Sequence, residues 1–361
     1  MKKTLWYSRM NYQYILLVLI PLLIVCIPNY CWAFRKMPLS IDSARSLSMG
    51  RAFVSIADVE NVVSYNPAGL GFNEKPELFL DTISQFNSWP DWTNYLDVQI
   101  LAGLAYKNVG AGIAVRKRYF SGSYIENEIE LIPIITCGLK LNKWLSLGLR
   151  GKFNNIANDA STVININEGP SLDIGFIYMP TGILSMGLMC VDLLSFKGNY
   201  LIRDDYYNSR FAINENLPQN LDIGFSLKFP YNILISFDIN NLIEYKINTS
   251  VVLGSFFYQI IACPPYEFKR SYHLGVKIPI LNFLIIKAGG VYEKYPHDFN
   301  LISNGAYIYQ DSYLVTCGIE LKSDNIRLDA SFGKEFKDIG ISTWYLTLHG
   351  SWVLKDFISL I

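Results

Sequence analysis

Apolar and polar residues alternate with a period of two along most of the chain from Leu78 to Leu354. In Trp144–Phe153, Leu145, Leu147, Leu149 and Phe153 alternate with Ser146, Gly148, Arg150 and Lys152. In Leu221–Phe229, Leu221, Ile223, Phe225, Leu227 and Phe229 alternate with Asp222, Gly224, Ser226 and Lys228. Near the end, Trp344, Leu346, Leu348, Gly350, Trp352 and Leu354 alternate with Tyr345, Thr347, His349 and Ser351. Such a period gives a strand one apolar face and one polar face. The pattern predicts fourteen strands near 77–84, 96–106, 110–120, 131–141, 144–153, 171–179, 183–192, 219–229, 231–240, 272–279, 283–292, 312–322, 325–333 and 342–354.

Alternation alone also suits a soluble sandwich, and the links decide between the two. Short links at Lys107–Val109, Asn142–Lys143, Pro180–Gly182, Pro230, Ile280–Asn282 and Ser323–Asp324 alternate with longer ones. The longer links are Gln85–Tyr95, Ser121–Leu131, Asn154–Pro170, Leu193–Gln219, Asn241–Ser271, Glu293–Asp311 and Lys334–Ile341. Short turns at one end and long loops at the other mark an up-and-down membrane barrel. Most strands also match the ~9–11 residues of a tilted transmembrane strand. The fold expected is therefore all-β, a transmembrane antiparallel barrel of about 14 strands. Ser250–Cys263 is apolar enough for an extra strand, but one more would break the even count. It is expected to be an apolar extracellular loop, with 12 or 16 strands as the other even counts.

Composition adds the compartment. Lys2, Lys3 and Arg9 precede an apolar run from Ile15 to Ile27, and Cys31-Trp32-Ala33 offers a small-x-small cleavage site. That is the form of a secretory signal peptide, and the run is short of the ~20 residues a spanning helix needs. Without residues 1–33 the 31 basic residues fall to 28 against 31 acidic ones. No basic stripe suggests nucleic acid. Cys137, Cys190, Cys263 and Cys317 have neither metal-site nor CxxC spacing, and three of them lie on apolar strand faces. With His273, His297 and His349 as the only histidines, no nucleophile–base–acid set or metal cluster is legible. Neither catalysis nor a cofactor is expected.

The polar strand faces carry both signs: Arg150, Lys152, Asp173, Asp222, Lys228, Asp238, Lys277, Lys287, Glu320, Arg327 and Asp329. A mixed interior suits ion pairing around a filling more than an ion-selective constriction. The filling expected is Phe34–Pro76, ahead of the first strand. Ser43, Ala44, Arg45, Met49 and Gly50 belong to a stretch of small residues suited to close packing, and Asp58 is a candidate helix cap. Asn66-Pro67-Ala68-Gly69 then forms a turn, because Pro67 fixes φ and glycine permits φ > 0. The expected division is signal peptide 1–33, N-terminal luminal segment 34–76 and outer-membrane barrel 77–361.

Ser43-Ala44-Arg45-Ser46-Leu47-Ser48-Met49-Gly50-Arg51-Ala52-Phe53-Val54-Ser55-Ile56-Ala57-Asp58, with Ser64-Tyr65-Asn66-Pro67-Ala68-Gly69-Leu70, resembles the N-terminus of the PorV/PorQ family. That family is similar to the wider FadL-like transporters of fatty acids and aromatic hydrocarbons. The resemblance implies a 14-stranded barrel with a hatch carrying Asn66-Pro67-Ala68. Two departures stand out: Arg51 occupies a position where relatives often have a second glycine, and the chain ends in Ile361, with Phe357 the nearest aromatic. Two functions follow from the resemblance. One is passive passage of hydrophobic small molecules through the outer membrane. The other is a PorV-like role in receiving exported proteins for surface anchoring. The loop residues Phe196, Phe256, Phe257, Tyr258 and Phe299 form a candidate hydrophobic patch, which suits capture of either partner. Transport is the preferred reading, and outer-membrane lipid is the expected surrounding.

Overall fold

The computed structural model describes residues 43–57, 63–73, 75–88, 94–120, 128–153, 155–158, 163–166, 170–195, 198–204, 209–215, 220–243, 245–247, 250–253, 259–262, 266–299, 307–337 and 342–353. The signal peptide, Asp58 and Phe357 lie outside the described residues.

Fourteen strands form one closed antiparallel barrel. They are β1 Glu77–Ser88, β2 Asn94–Tyr106, β3 Val109–Phe120, β4 Glu128–Lys140, β5 Leu145–Phe153, β6 Pro170–Tyr178 and β7 Leu184–Ser195. The second half comprises β8 Asn220–Lys228, β9 Leu234–Asn240, β10 Ser271–Pro279, β11 Leu284–Phe299, β12 Tyr307–Lys322, β13 Ile326–Lys337 and β14 Ser342–Val353. Each strand pairs with its sequence neighbours, and β1 pairs with β14 from Glu77↔Val353 to Ser88↔Ser342. Closure leaves no unpaired backbone edge, the condition for a sheet in hydrocarbon.

The alternation is inside out relative to a soluble sheet. On β14, Leu348 is 57% exposed, whereas Thr347 and His349 on either side are 1% and 4% exposed. Leucine, isoleucine and phenylalanine cover the outer surface, and hydroxyls, glycines and ion pairs fill the interior. Cys137 and Cys317 lie exposed on this outer face as free thiols, and Cys190 is half-buried.

Polar side chains close the short turns. Asn142 Oδ1 accepts the amides of Trp144 at 2.8 Å and Leu145 at 2.9 Å. Thr181 Oγ1 accepts those of Ile183 and Leu184, and Ser323 Oγ that of Ile326. The β8–β9 turn is wider than Pro230 alone. Pro230–Asn232 forms a 3-10 turn in which Tyr231 (φ 62°) and Asn232 (φ 59°) are left-handed.

At the opposite end, several strands outrun their expected limits. β11 and β12 pair as far as Phe299↔Tyr307, so most of the expected Glu293–Asp311 loop is hairpin. Residues 293–299 and 307–311 lack a clean apolar face, so the period of two fades there although the ladder continues. The Ser250–Cys263 region adds no barrel strand. Ser250–Leu253 pairs with Gln259–Ala262 in a separate hairpin, and the even count stands. The 193–219 link likewise contains Gly198–Asp204 and Ser209–Glu215, which build a small sheet with Val163–Ile166.

Candidate functional site

Residues 43–57 and 63–73 lie inside the barrel, and most of them are buried. The first part opens with the short helix α1, Ala44–Ser48. Ser43 caps it: Ser43 Oγ accepts the Ser46 amide and Ser46 Oγ accepts the Ser43 amide, both at 3.1 Å. This reciprocal pair satisfies two amides that a helix start leaves open.

Arg45, 2% exposed, projects from α1 into a charged cluster on the wall. Its guanidinium is 3.5 Å from Glu320 Oε2 and 3.8 Å from Asp329 Oδ2. Lys287 bridges the same two carboxylates, and Lys277 reaches Glu320 at 3.5 Å. The wall's own two lysines therefore balance its two acids, and Arg45 is an additional cation brought by the luminal segment. Lys228 is on the inward register of β8, but at the turn end, where it is exposed.

After α1 the chain reverses through Gly50 (φ 58°) and Arg51 (φ 60°). Two successive left-handed residues explain why a glycine suits position 51, and an arginine there carries a steric cost of ~1–2 kcal/mol. The Gly50 amide donates to Thr316 Oγ1 at 3.2 Å, and its carbonyl faces His273 Nδ1 at 3.1 Å. A carbonyl only accepts, so Nδ1 carries the proton and Nε2 accepts from the Ser271 hydroxyl at 2.8 Å. His273 is thus a structural hydrogen-bonder. His349 Nδ1 lies 2.6 Å from Asp81 Oδ1, which also accepts the Ala44 amide at 3.3 Å.

Further along, the Val54 amide donates to Asp238 Oδ2 at 2.7 Å, and Ser185 Oγ donates to the Ser55 carbonyl at 2.6 Å. Asn66 then ties the two halves of the segment together. Its Nδ2 donates to the Val54 carbonyl at 2.8 Å and to the wall carbonyls of Phe176 and Leu188 at 3.1 and 3.4 Å. Its Oδ1 accepts the Ala68 amide at 3.1 Å, capping the 3-10 helix Pro67–Phe72. Ser146 Oγ holds the Ala68 carbonyl at 2.7 Å.

Arg150 Nη1 donates to the carbonyls of Val63 at 3.3 Å and Tyr65 at 2.9 Å, while its Nε bonds Asp173 at 2.6 Å. Lys152 joins Asp173 at 3.1 Å and Asp192 at 2.9 Å. Asp192 enters this cluster through a bulge: pairing jumps from Leu172↔Leu194 to Ile174↔Cys190, and Asp192 is left-handed at φ 53°. Strict alternation would put its carboxylate on the apolar outer face. That conflict was the one sequence signal for the bulge.

The segment fits because the wall has glycines beneath it. A Cβ at Gly148 would collide with the backbone of Pro67 and Ala68, at Gly187 with Val54, at Gly175 with Asn66 and at Gly289 with Met49 and Gly50. Ala44, Arg45, Met49 and Gly50 thus meet β1 and β10–β13, and Asn66, Pro67 and Ala68 meet β4–β7, whereas Ser43 and Gly69 bond within the segment, to Ser46 and to the Asn66 carbonyl. Of the expected loop patch, Phe196, Phe256, Phe257 and Tyr258 lie outside the described residues, and Phe299 closes β11 by backbone pairing with Tyr307.

One sector of the interior differs. On β1–β4 the inward residues Phe79, Leu101, Ala105, Ala114, Ile132 and Ile134 form an apolar cluster, and the segment covers it with Val63 and Leu70. The Arg45 and Arg150 clusters lie on other strands, while on β1–β3 themselves Asp81 pairs with His349 and Asp97 with Arg116.

Asn66→Ala removes four described hydrogen bonds and leaves buried groups unsatisfied, each such group costing about 1–3 kcal/mol. The expected result is faster thiol labelling of an Ala68→Cys probe in the Asn66→Ala background, with labelling as slow as in the parent counting against it.

No family model matches the chain, and no curated protein matches it in sequence. Solved structures do. The CymD monoaromatic hydrocarbon channel is similar with a TM-score of 0.59 at 12% identity, over 86% of this chain and 97% of that one. A Pseudomonas aeruginosa FadL homologue gives 0.58 at 11%, over 90% and 100% of the two chains. The Ralstonia pickettii toluene transporter TbuX gives 0.56 at 11%, over 87% and 99%. None of these three is a PorV or PorQ protein. At such identities the likeness is one of fold: this chain has the closed fourteen-stranded architecture of FadL-like hydrocarbon channels.

Proposed function

We propose that the protein resides in the bacterial outer membrane and passes hydrophobic small molecules, with residues 34–76 acting as a hatch. The apolar sector on β1–β4, roofed by Val63 and Leu70, carries this reading. A polar, ion-paired lumen needs no such strip for its own solvation. An apolar molecule does, because it gains roughly 25 cal/mol per Å² of surface removed from water. Displacing Val63 and Leu70 would uncover a lane of matching chemistry along the inner wall. The hydrocarbon channels of the same fold support the reading, and monoaromatic hydrocarbons are the first compounds to try.

Deleting the gene and measuring uptake of labelled toluene together with the surface proteome tests it. Uptake should fall and recover on complementation, while Leu101→Gln should complement poorly. Unchanged uptake with surface proteins lost would replace transport by the secretion role.

A further inference from the structure

The outer surface carries a second feature. Tyr272, Tyr292, Tyr313 and Phe336 are consecutive register partners on the outward faces of β10–β13. The ring centroids of Tyr272 and Tyr292 are 6.2 Å apart, and those of Tyr292 and Tyr313 are 5.2 Å apart. They form an aromatic belt at the long-link end, the position such rings take at a membrane interface.

Lys334 is also outward, but its register partners are Val315 and Trp344, two residues nearer the middle of the barrel than the belt. Its ammonium lies 4.3 Å from the Trp344 ring centroid and 4.9 Å from that of Phe336. The outward pair Lys294–Asp311 lies on the other side of the belt, ion-paired at 3.4 Å. Among the described residues no carboxylate lies within salt-bridge distance of Lys334. Cation–π contact offsets part of the cost of moving an ammonium out of water, and an anion would supply the rest. Nearer the middle, Ala288 and its register partner Cys317 are small and exposed, and Ala330 lies one row further on beside Ile319, so these small residues form an oblique furrow between Ile286 and Ile319 on one side and Val315 and Phe332 on the other. A charge at interface depth above an apolar furrow matches a headgroup with its chain.

We propose that the outer face of β11–β14 holds an anionic phosphate-bearing lipid of the membrane leaflet at that end, with its phosphate on Lys334 and an acyl chain in the furrow. The proposal rests on the membrane placement above and is independent of what the barrel transports. The test is native mass spectrometry of the full protein in detergent, titrated separately with phosphatidylglycerol, diacylglycerol and inorganic phosphate. Phosphatidylglycerol should stay bound, whereas neither diacylglycerol nor phosphate alone should. Lys334→Gln should weaken retention about fivefold, the worth of one lysine against an anionic lipid. Lys334→Arg should restore it, and Lys294→Gln should leave it unchanged. Equal retention by Lys334→Gln, or equal binding of diacylglycerol, overturns the site. A chain that partitions into the aqueous rather than the detergent phase overturns the membrane placement instead.

Discussion

Replacing Gly148 with leucine is expected to dislodge Pro67–Ala68 and turn a closed barrel into a conducting one. A Cβ at this position would fall on the backbone of Pro67 and Ala68, and a leucine adds three more carbons. The wall cannot yield easily, because β5 is hydrogen-bonded to β4 on one side and β6 on the other. Overpacking of this kind costs typically 1–3 kcal/mol when the surroundings are fixed, and movement of the luminal segment relieves it. That movement would also break the Ser146–Ala68 hydrogen bond and disturb the Asn66 set. Gly151 is the control. It lies on the same strand with nothing within 4 Å of a Cβ, so Gly151→Leu should behave as the parent. Conductance in planar bilayers reads the pore, and labelling of Ala68→Cys reads the segment. A Gly148→Leu barrel as silent as the parent, although the probe has become reactive, would show that this segment does not close the pore.

The strands were legible in the sequence because each has one face in an apolar surrounding and one in a polar interior, which imposes a period of two. Their loop-end extensions were not legible: in Glu293–Phe299 neither face is apolar, and only backbone pairing defines the strand. The luminal segment's polar contacts were partly legible. Arg150, Lys152, Asp173 and Asp238 follow from inward parity, but Asp192 does not, since the bulge shifts its register. The wall glycines are the clearest missed signal. Gly148, Gly175, Gly187, Gly224, Gly275 and Gly289 recur at inward positions of β5–β8, β10 and β11, where a chain packed inside needs backbone-to-backbone approach. Read as a set rather than singly, they mark where residues 49–55 and 66–68 run along the wall. The apolar sector was hidden for another reason. On β1–β4 the inward residues include Phe79, Leu101, Ile132 and Ile134, so alternation is weak where both faces are apolar.

The charged cluster around Asp173 carries the second large expectation: Asp173→Leu should destabilise the barrel by about 3–5 kcal/mol, the usual cost of breaking a buried ion pair by removing one partner. Asp173 is fully buried between Arg150 at 2.6 Å and Lys152 at 3.1 Å, with the Asp192 amide on its Oδ1 at 2.8 Å. Lys152 retains Asp192 when Asp173 is lost, so the uncompensated charge is Arg150. Removing that charge as well should recover much of the loss, since replacing both partners of a buried pair with apolar groups is often close to neutral. Arg150 has a second task, holding the Val63 and Tyr65 carbonyls. The double variant Arg150→Met/Asp173→Leu should therefore regain thermal stability yet hold the segment loosely. The temperature at which the folded band is lost on gels measures the first effect, and Ala68→Cys labelling the second. If the double variant is as unstable as Asp173→Leu alone, the pair is not the source of the cost. If it recovers both readouts together, Arg150 does not anchor the segment, and the ion pairs serve only the wall.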